Sequence, residues 1–373
     1  MPDYVNLLPG DPAPWFRART AGNPRYAFDS AGGRYLVLLF FGTAADPHAR
    51  AALAAAAARP DLFDDARASL FGVTADPADE AQGRVADRLP GIRFFLDFDG
   101  AVGRAFGALP VAAPAPGEGL AVRRMWMILD PTLRIIDVIP FAPDRSDIAA
   151  ALDRLAALPP PARFAGVELQ APIILLPGVF EPELCARLIA RYEAHGGEES
   201  GVMRDVEGKT VAVMDQRQKR RKDHVIEDQA LIGELQSRFL RRVVPEIRKV
   251  HQFEATRMER YLVACYAAED GGHFAAHRDN TTHGTAHRRF AVSVNLNDAF
   301  DGGEVSFPEY GTRGFKAPPG GAVVFSCSLL HAVSRVTSGR RYAFLPFLYD
   351  EAAAKLREAN MAKVSEDISG YKA

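Results

Sequence analysis

The sequence predicts an α/β unit followed by a mainly β jelly-roll unit with flanking helices. In the first 158 residues, short apolar runs alternate with helical segments, which is typical of a central sheet covered by helices. From residue 167 onward, many short strand-like runs are separated by glycine and proline, which favours a jelly roll. At 373 residues the chain is long for one domain, so two domains are expected.

The N-terminal unit is predicted to span residues 1–158. Residues 35–41 (YLVLLFF) form a buried strand, and the alanine-rich segment 46–58 that follows lacks β-branched residues and favours a helix. Further strands are predicted at 70–75, 93–96, 124–129 and 134–139, and a last helix at 147–158. The proline run that follows disfavours helix, so residues 159–166 are predicted to be a linker.

The second unit is predicted to span residues 167–373. Residues 181–195 and 227–250 carry apolar side chains at helical spacing, and Pro245 is expected to kink the second helix. The strand-like runs are 258–266, the segment around 277, 289–297, 302–308, 320–327 and 340–349. Two helices packed outside one sheet would complete the jelly roll.

Composition narrows the function classes. Apolar residues make up 48% and charged residues 25% of the chain, as in soluble globular domains. Lys+Arg 45 against Asp+Glu 47 gives a net charge of −2, which argues against a general nucleic-acid or membrane-surface binder. No run of 18 apolar residues occurs, and the N-terminus has no signal-like apolar core. With only three cysteines, the sequence predicts a reducing, cytoplasmic location.

Four residues predict a metal-dependent site: His277, Asp279, His331 and Arg341. In an extended strand, residues i and i+2 point the same way, so the first two can share one metal. Two imidazoles and one carboxylate leave coordination positions open, as non-haem Fe(II) oxygenases need. An arginine ten residues after the last histidine can hold a carboxylate bidentately, which would anchor a dicarboxylate such as 2-oxoglutarate.

Other polar candidates have competing interpretations. His283 and His287 lie four apart, but their glycine-containing context favours a loop over a metal site, and His273 is predicted at the rim. The basic run 216–223 (QRQKRRKD) is interpreted as a solvated loop, or as a loop that closes over an acidic substrate. Surface charges are predicted at Lys316 and Arg335.

The first unit resembles the peroxiredoxin branch of the thioredoxin-like fold. The matching segments are GDPAPWF (10–16), LVLLFFGTAAD (36–46), FGVTADP (71–77), DFDGAVGRAFGAL (97–109) and RRMWMILD (123–130). Peroxiredoxins place a reactive cysteine three positions after a threonine. In this sequence the residue three positions after Thr43 is Asp46. Thiol peroxidase chemistry is therefore excluded, and Arg124, which matches the thiolate-activating arginine, is predicted to be a salt-bridged surface residue. We expect a non-catalytic docking or assembly module.

The second unit resembles the prolyl 4-hydroxylase group of iron- and 2-oxoglutarate-dependent dioxygenases, whose domain is a double-stranded β-helix. The matching segments are VACY (263–266), NLND with FDGGEVSFPEYG, and PPGGAVVFSCSLLHAVSRVTSGRR, in the family's order. The resemblance implies iron binding by the two histidines and the aspartate, and binding of the distal 2-oxoglutarate carboxylate by Arg341. Tyr266 matches a tyrosine that reaches the co-substrate in related enzymes, and the alternative interpretation is a core tyrosine whose hydroxyl is already hydrogen-bonded. Asn295 occupies a strand position that faces the co-substrate in the family. Collagen enzymes carry lysine at the position of Arg341.

The resemblance implies hydroxylation of an unactivated C–H bond, most simply on a peptidyl residue such as proline. Hydroxylation of a free amino acid or small metabolite is the alternative, and a non-enzymatic metal-binding sensor is a third. The implied cofactors are Fe(II), 2-oxoglutarate and O₂, with ascorbate left open. The expected partners are a peptide or small-molecule substrate, with homodimerisation or docking through the redoxin-like unit, and neither nucleic acid nor membrane.

Overall fold

A computed structural model describes residues 3–112, 121–365 and 368. The chain divides into two compact units: Met1–Gln170 with Pro308–Gly311, and Ala171–Phe307 with Thr312–Ala373. The predicted linker 159–166 therefore falls in the part of the chain grouped with the first unit. Whether residues 1–158 and 167–373 are the separable domains stays a prediction. Within the described ranges, no helix has both the length and the apolarity that a membrane span requires.

The first unit is built on one five-stranded sheet. The unit begins with β1 (Arg17–Ala18) and β2 (Tyr26–Ala27), which pair with each other. The five strands of the sheet are β3 (Tyr35–Gly42), β4 (Ala68–Thr74), β5 (Ile92–Leu96), β6 (Met125–Leu129) and β7 (Ile135–Pro140). Its helices are α1 (Pro47–Ala57), α2 (Pro77–Ala81), α3 (Ala101–Ala105) and α4 (Ser146–Ala157), with 3₁₀ turns at Phe28–Ala31 and Pro161–Arg163. The strand order is β5-β4-β3-β6-β7, with β3 parallel to β4 and antiparallel to β6.

The central strand β3 is buried on both faces. Tyr35 and Val37 pack with α1 and α4, whereas Leu36 and Leu38 pack with Phe28 on the other side. This double burial is why the strand is a continuous apolar run and not an alternating one. A central sheet with a core on each face confirms the predicted thioredoxin-like α/β fold.

Asp46 stands where a peroxiredoxin would place its reactive cysteine, at the N-terminus of α1. Its Oδ1 accepts hydrogen bonds from the backbone N–H groups of His48 and Ala49, each at 2.9 Å. Arg124 Nη1 lies 2.7 Å from the same oxygen, which confirms that this arginine is salt-bridged. Although partial burial opposes it, the N–H of Ala49 and the charge of Arg124 hold the pKa of Asp46 below its usual value. The position therefore carries a fixed carboxylate.

The full-length protein is expected to consume no hydrogen peroxide with any thiol reductant, because a carboxylate cannot be oxidised and recycled like a thiolate. Asp46→Cys is the matched variant, since it places a thiol at a helix N-terminus beside Arg124, two features that lower a thiol pKa. That variant should gain reactivity toward peroxide, measured as sulfenic acid by mass spectrometry. Peroxide turnover by the unmodified protein would contradict the prediction.

The second unit contains two main antiparallel sheets and a separate two-stranded sheet formed by residues 202–206 and 209–213. Its strands are β8 (Ile174–Leu176), β9 (Glu198–Glu199), β10 (Val202–Val206), β11 (Lys209–Val213), β12 (Lys219–Arg220), β13 (Lys222–Val225), β14 (Arg257–Glu259), β15 (Leu262–Ala267), β16 (His273–His277), β17 (Phe290–Asn295), β18 (Phe300–Asp301), β19 (Val305–Ser306), β20 (Gly314–Phe315), β21 (Ala322–Ser326), β22 (His331–Val333), β23 (Ser338–Phe344) and β24 (Phe347–Tyr349). The larger sheet has the order β14-β24-β17-β23-β15-β13-β9, with β21 and β8 extending from β17. The smaller sheet has the order β12-β16-β22-β19-β20. This confirms the predicted jelly roll.

Helices cover the outer face of the larger sheet. They are α5 (Pro182–His195), α6 (Gln229–Arg242) and α7 (Val244–His251). Another helix, α8 (Glu351–Asn360), follows the last strand, and a 3₁₀ turn lies at Met361–Lys363. The 3₁₀ turn at Pro308–Tyr310 belongs to the segment grouped with the first unit. Leu188 and Phe239 of these helices pack in one core with Val263 and Phe344 of the sheet. The helix predicted over 227–250 is broken at Val243, because Pro245, in the first turn of α7, has no N–H to continue α6.

Side chains alternate between the two faces of a strand. Residues of the larger sheet that do not pack against the helices therefore point to its inner face. On β15 the outward residues are Val263 and Cys265, and Tyr266 points inward. On β17 and β23 the inward positions are Ser293 and Arg341. These three strands therefore place polar side chains on the inner face of the larger sheet.

Candidate active site

The structure brings His277, Asp279 and His331 together. His277 ends β16 and His331 begins β22, and the two are direct partners in the antiparallel register. One oxygen of Asp279 lies 3.4 Å from Nε2 of His277, and the other lies 3.4 Å from Nε2 of His331. One ligand atom from each residue lies within 4.8 Å of the others, a spacing that could hold a metal ion.

Backbone carbonyls fix the orientation of both imidazoles. Nδ1 of His277 is 2.8 Å from the carbonyl oxygen of Ala275, and Nδ1 of His331 is 3.0 Å from that of Leu329. A carbonyl can only accept, so each Nδ1 donates, and Nε2 is the ring nitrogen of each histidine that faces Asp279. Phe274 stacks on His277 with a ring-centroid distance of 3.5 Å, which further restrains that ring.

The electrostatics of the cluster suit a divalent cation. Burial and the neighbouring His277 lower the pKa of His331 to about 4, so His331 is neutral at neutral pH. Burial opposes ionisation of Asp279, yet His331 and His277 hold its pKa well below the usual range. The site therefore offers a carboxylate and imidazole nitrogen, the donor set of a non-haem iron centre.

Arg341 is a buried cation, and one of its guanidinium nitrogens has no hydrogen-bond partner among the described residues. Its Nε donates to Oδ1 of Asn295 at 2.9 Å, and its Nη2 donates to Oγ of Ser293 at 2.6 Å. Nη1 is buried and has no hydrogen-bond partner in the described part of the chain. Both acceptors are neutral, and burial lowers the pKa of the guanidinium. Because Arg341 lines the same pocket as the metal cluster, a carboxylate-bearing ligand would satisfy both its charge and its free donor.

Tyr266 and Asn295 occupy different layers of the site. Tyr266 lines the pocket, with the guanidinium of Arg341 5.2 Å from its ring centroid. Asn295 lies behind Arg341 and donates through Nδ2 to the carbonyl of Ala317 at 2.8 Å. Its described contacts orient the arginine, and its predicted contact with a co-substrate stays a prediction. Ser293, which sequence reasoning missed, supplies the second acceptor for Arg341; as a lone serine in an apolar strand it gave no signal.

The basic run 216–223 is not a solvated loop, so that expectation is wrong. Lys219, Arg221 and Asp223 are each less than 9% exposed, whereas Arg220 is exposed and Lys222 is half-exposed. The segment contributes β12 and β13, and side chains alternate between inside and outside as a strand requires. Because the buried and the exposed side of this segment both carry charged residues, its hydropathy does not alternate, and the sequence pattern did not indicate strands. Closure of this segment over a substrate stays a prediction.

His287 and His273, two of the other histidines considered in the sequence, have partners outside the metal cluster. Nε2 of His287 is 2.9 Å from buried Glu259, to which Arg288 also donates. Both ring nitrogens of His273 lie within 3.1 Å of carbonyl oxygens, so this side chain points away from the metal cluster. Lys316 is exposed, as the sequence predicted, and its Nζ donates to the carbonyl of Phe300.

Two family models match the chain, one in each of its two units. Residues 261–349 match the sequence model of the 2OG-Fe(II) oxygenase superfamily, and residues 9–137 match that of the AhpC/TSA family. The chain carries an AhpC/TSA domain and a 2OG-Fe(II) oxygenase domain. Both family resemblances predicted from the sequence are confirmed. The oxygenase family implies Fe(II), 2-oxoglutarate and O₂ as cofactors, and the matched range contains the metal cluster and Arg341.

Individual relatives cover parts of the chain. A PKHD-type hydroxylase of Hyphomonas neptunium is 26% identical over 119 residues, which are 30% of this chain and 50% of that protein. The chain thus spans half the length of that curated relative. Peroxiredoxin Q of Xanthomonas campestris shares 21% identity with a TM-score of 0.32, covering 38% of this chain and 90% of its own. A Pseudomonas putida prolyl-4-hydroxylase shares 18% identity with a TM-score of 0.36, covering 54% of this chain and 98% of its own.

Proposed function

We propose that the chain is an Fe(II)- and 2-oxoglutarate-dependent dioxygenase that hydroxylates an unactivated C–H bond. The observation that carries the proposal is the open Nη1 donor of Arg341 in the pocket of the His277, Asp279 and His331 cluster. A module that only bound metal would have no need of a buried cation beside it. A dicarboxylate that chelates the metal at one end needs such a cation at the other.

Each side chain then has a distinct task. His277, Asp279 and His331 would hold Fe(II) on one face and leave the opposite positions open. Arg341 would bind the distal carboxylate of 2-oxoglutarate, with Asn295 holding the guanidinium in place. When bound, Fe(II) and 2-oxoglutarate supply O₂ activation for C–H hydroxylation, with 2-oxoglutarate leaving as succinate and CO₂.

Besides Arg221 and Arg260, apolar residues line the rest of the pocket and limit the access of water to the reacting atoms. They include Phe274, Val305, Phe325 and Val333, together with Leu345, Pro346 and Phe347. Exclusion of water strengthens the interaction of Arg341 with an anion and limits side reactions. The fold thus contributes geometry and a dry cavity.

For the substrate we propose a peptidyl residue such as proline. Support comes from the order of motifs shared with the prolyl 4-hydroxylase group and from the hydroxylase relative. A free amino acid or small metabolite is the competing substrate class, and one experiment separates the two.

The protein is reconstituted anaerobically with Fe(II) and 2-oxoglutarate, exposed to O₂, and succinate release is measured. Prolyl peptides, free proline and no addition form three arms, and omission of Fe(II) is the control. We expect Fe(II)-dependent succinate release that peptides stimulate, with hydroxylated peptide found by mass spectrometry. Stimulation by free proline alone would favour the small-molecule alternative. A complete lack of 2-oxoglutarate turnover would refute the dioxygenase assignment and favour the sensor.

We further propose a cytoplasmic protein whose redoxin-like unit serves docking or homodimerisation. Cys185, Cys265 and Cys327 are buried and unpaired, which fits a reducing compartment. Light scattering of the full chain tests the dimer directly. A monomer mass at every concentration would leave docking to another protein as the role of this unit.

A further inference from the structure

A second buried guanidinium reaches the metal pocket from the segment between β12 and β13. Arg221 donates through Nε to one oxygen of Asp223 and through Nη2 to the other, each at 2.6 Å. Arg221 is 7% exposed and Asp223 is 8% exposed. A planar guanidinium held by both carboxylate oxygens has a fixed orientation.

The remaining arm of this guanidinium meets Tyr266. Nη1 of Arg221 lies 3.3 Å from the phenol oxygen, and the Arg221 guanidinium carbon lies 5.7 Å from the ring centroid. Arginine has donors and no acceptor, so in this contact the phenol oxygen must accept. The proton of Tyr266 is therefore directed away from Arg221.

That proton has no acceptor among the described residues. Tyr266 is 1% exposed, and its contact with Arg221 is the only hydrogen bond that its hydroxyl makes in the described part of the chain. A buried hydroxyl donor left unpaired costs free energy. Tyr266 lines the pocket that contains the metal cluster and Arg341. An acceptor atom on a bound ligand could therefore receive the hydrogen bond from the Tyr266 hydroxyl.

We propose that Arg221, locked by Asp223, is a positioning residue that presents the hydroxyl proton of Tyr266 to a carboxylate oxygen of bound 2-oxoglutarate. This inference rests on the proposed function and goes beyond it, because it assigns a role to the Arg221–Asp223 pair. The competing account is that Arg221 only neutralises Asp223. That account predicts effects on stability that do not depend on the Tyr266 hydroxyl.

A double-mutant cycle separates the two accounts. The variants are Arg221→Lys, which keeps the charge but loses the fork, Tyr266→Phe, which loses only the hydroxyl, and both together. Arg220→Lys is the matched control, because Arg220 is exposed and contacts backbone carbonyls of Gln216 and Asp270. Binding of 2-oxoglutarate to the anaerobic Fe(II) protein is titrated by its charge-transfer absorption, and melting temperature is recorded for each variant.

Tyr266→Phe should weaken 2-oxoglutarate binding roughly two- to tenfold, the effect of one hydrogen bond. Arg221→Lys should weaken it in the same range, and the double variant should be no weaker than Tyr266→Phe alone. Independent, multiplying effects in the double variant would overturn the positioning role. Unchanged 2-oxoglutarate binding in Tyr266→Phe would also overturn the positioning role. This result does not depend on whether the Arg221 variant folds. A wild-type protein that binds no 2-oxoglutarate would refute the proposed function itself, and the inference with it.

Discussion

Replacing Asp279 with alanine is expected to abolish Fe(II) retention and 2-oxoglutarate turnover together. Its two oxygens face Nε2 of His277 and of His331, so its loss removes a ligand and the charge that complements the metal. Iron would be quantified after gel filtration, and succinate release would be measured on the same sample. We expect both to fall to background.

His277→Ala should behave in the same way, because it removes another ligand of the same cluster. Asp298→Ala is the matched control, since Asp298 is an exposed carboxylate in the same unit. Its iron content and turnover should equal those of the unmodified protein. Normal iron content together with normal turnover in either cluster variant would show that the metal is held elsewhere.

Arg341→Ala is expected to raise the 2-oxoglutarate concentration needed for half-maximal turnover by roughly ten- to a hundredfold. A charge-assisted hydrogen bond to the co-substrate contributes about 1.5–3 kcal/mol, which corresponds to that range. Iron retention should stay near normal, because Arg341 contacts Ser293 and Asn295 and belongs to no part of the metal cluster. Initial rates against 2-oxoglutarate concentration would give the constant.

The neighbouring residue supplies the control for this prediction. Arg340 lies on the same strand but is exposed and pairs with Glu269, so Arg340→Ala should leave the 2-oxoglutarate requirement unchanged. Arg341→Lys should retain part of the affinity, because it keeps the charge but loses the fork. An unaltered requirement in Arg341→Ala would mean that another cation binds the distal carboxylate.

The core elements could be predicted because their burial is visible in the sequence. The run 35–41 became β3, which ends one residue later, at Gly42. The helix predicted over 227–250 is two helices in the structure, and the proline that breaks it was recognised as a kink. Apolar side chains buried on both faces leave a local signal that needs no knowledge of the partner strand.

All four residues of the candidate site were predicted, but only part of that prediction rests on a local pattern. The His277 and Asp279 spacing has meaning on any strand, whereas the pairing of His277 with His331 depends on how two distant strands align. Arg221 could not be predicted, since inward charged residues alternate with outward charged residues and the pattern resembles a solvated segment. Its partners, Asp223 and Tyr266, are defined only by the folded structure.

The carboxylate of Asp46 has a consequence for how the protein responds to oxidants. Unlike cysteine, aspartate is not oxidised stepwise by peroxide. Asp46 at the N-terminus of α1 therefore keeps its charge and its salt bridge with Arg124 at any peroxide concentration. Burial also raises the pKa of the Cys185 and Cys265 thiols to about 11 and that of Cys327 well above its usual value, which keeps them as thiols. Any recognition by the redoxin-like unit would thus be redox-blind, and sensitivity to oxygen would reside in the metal pocket.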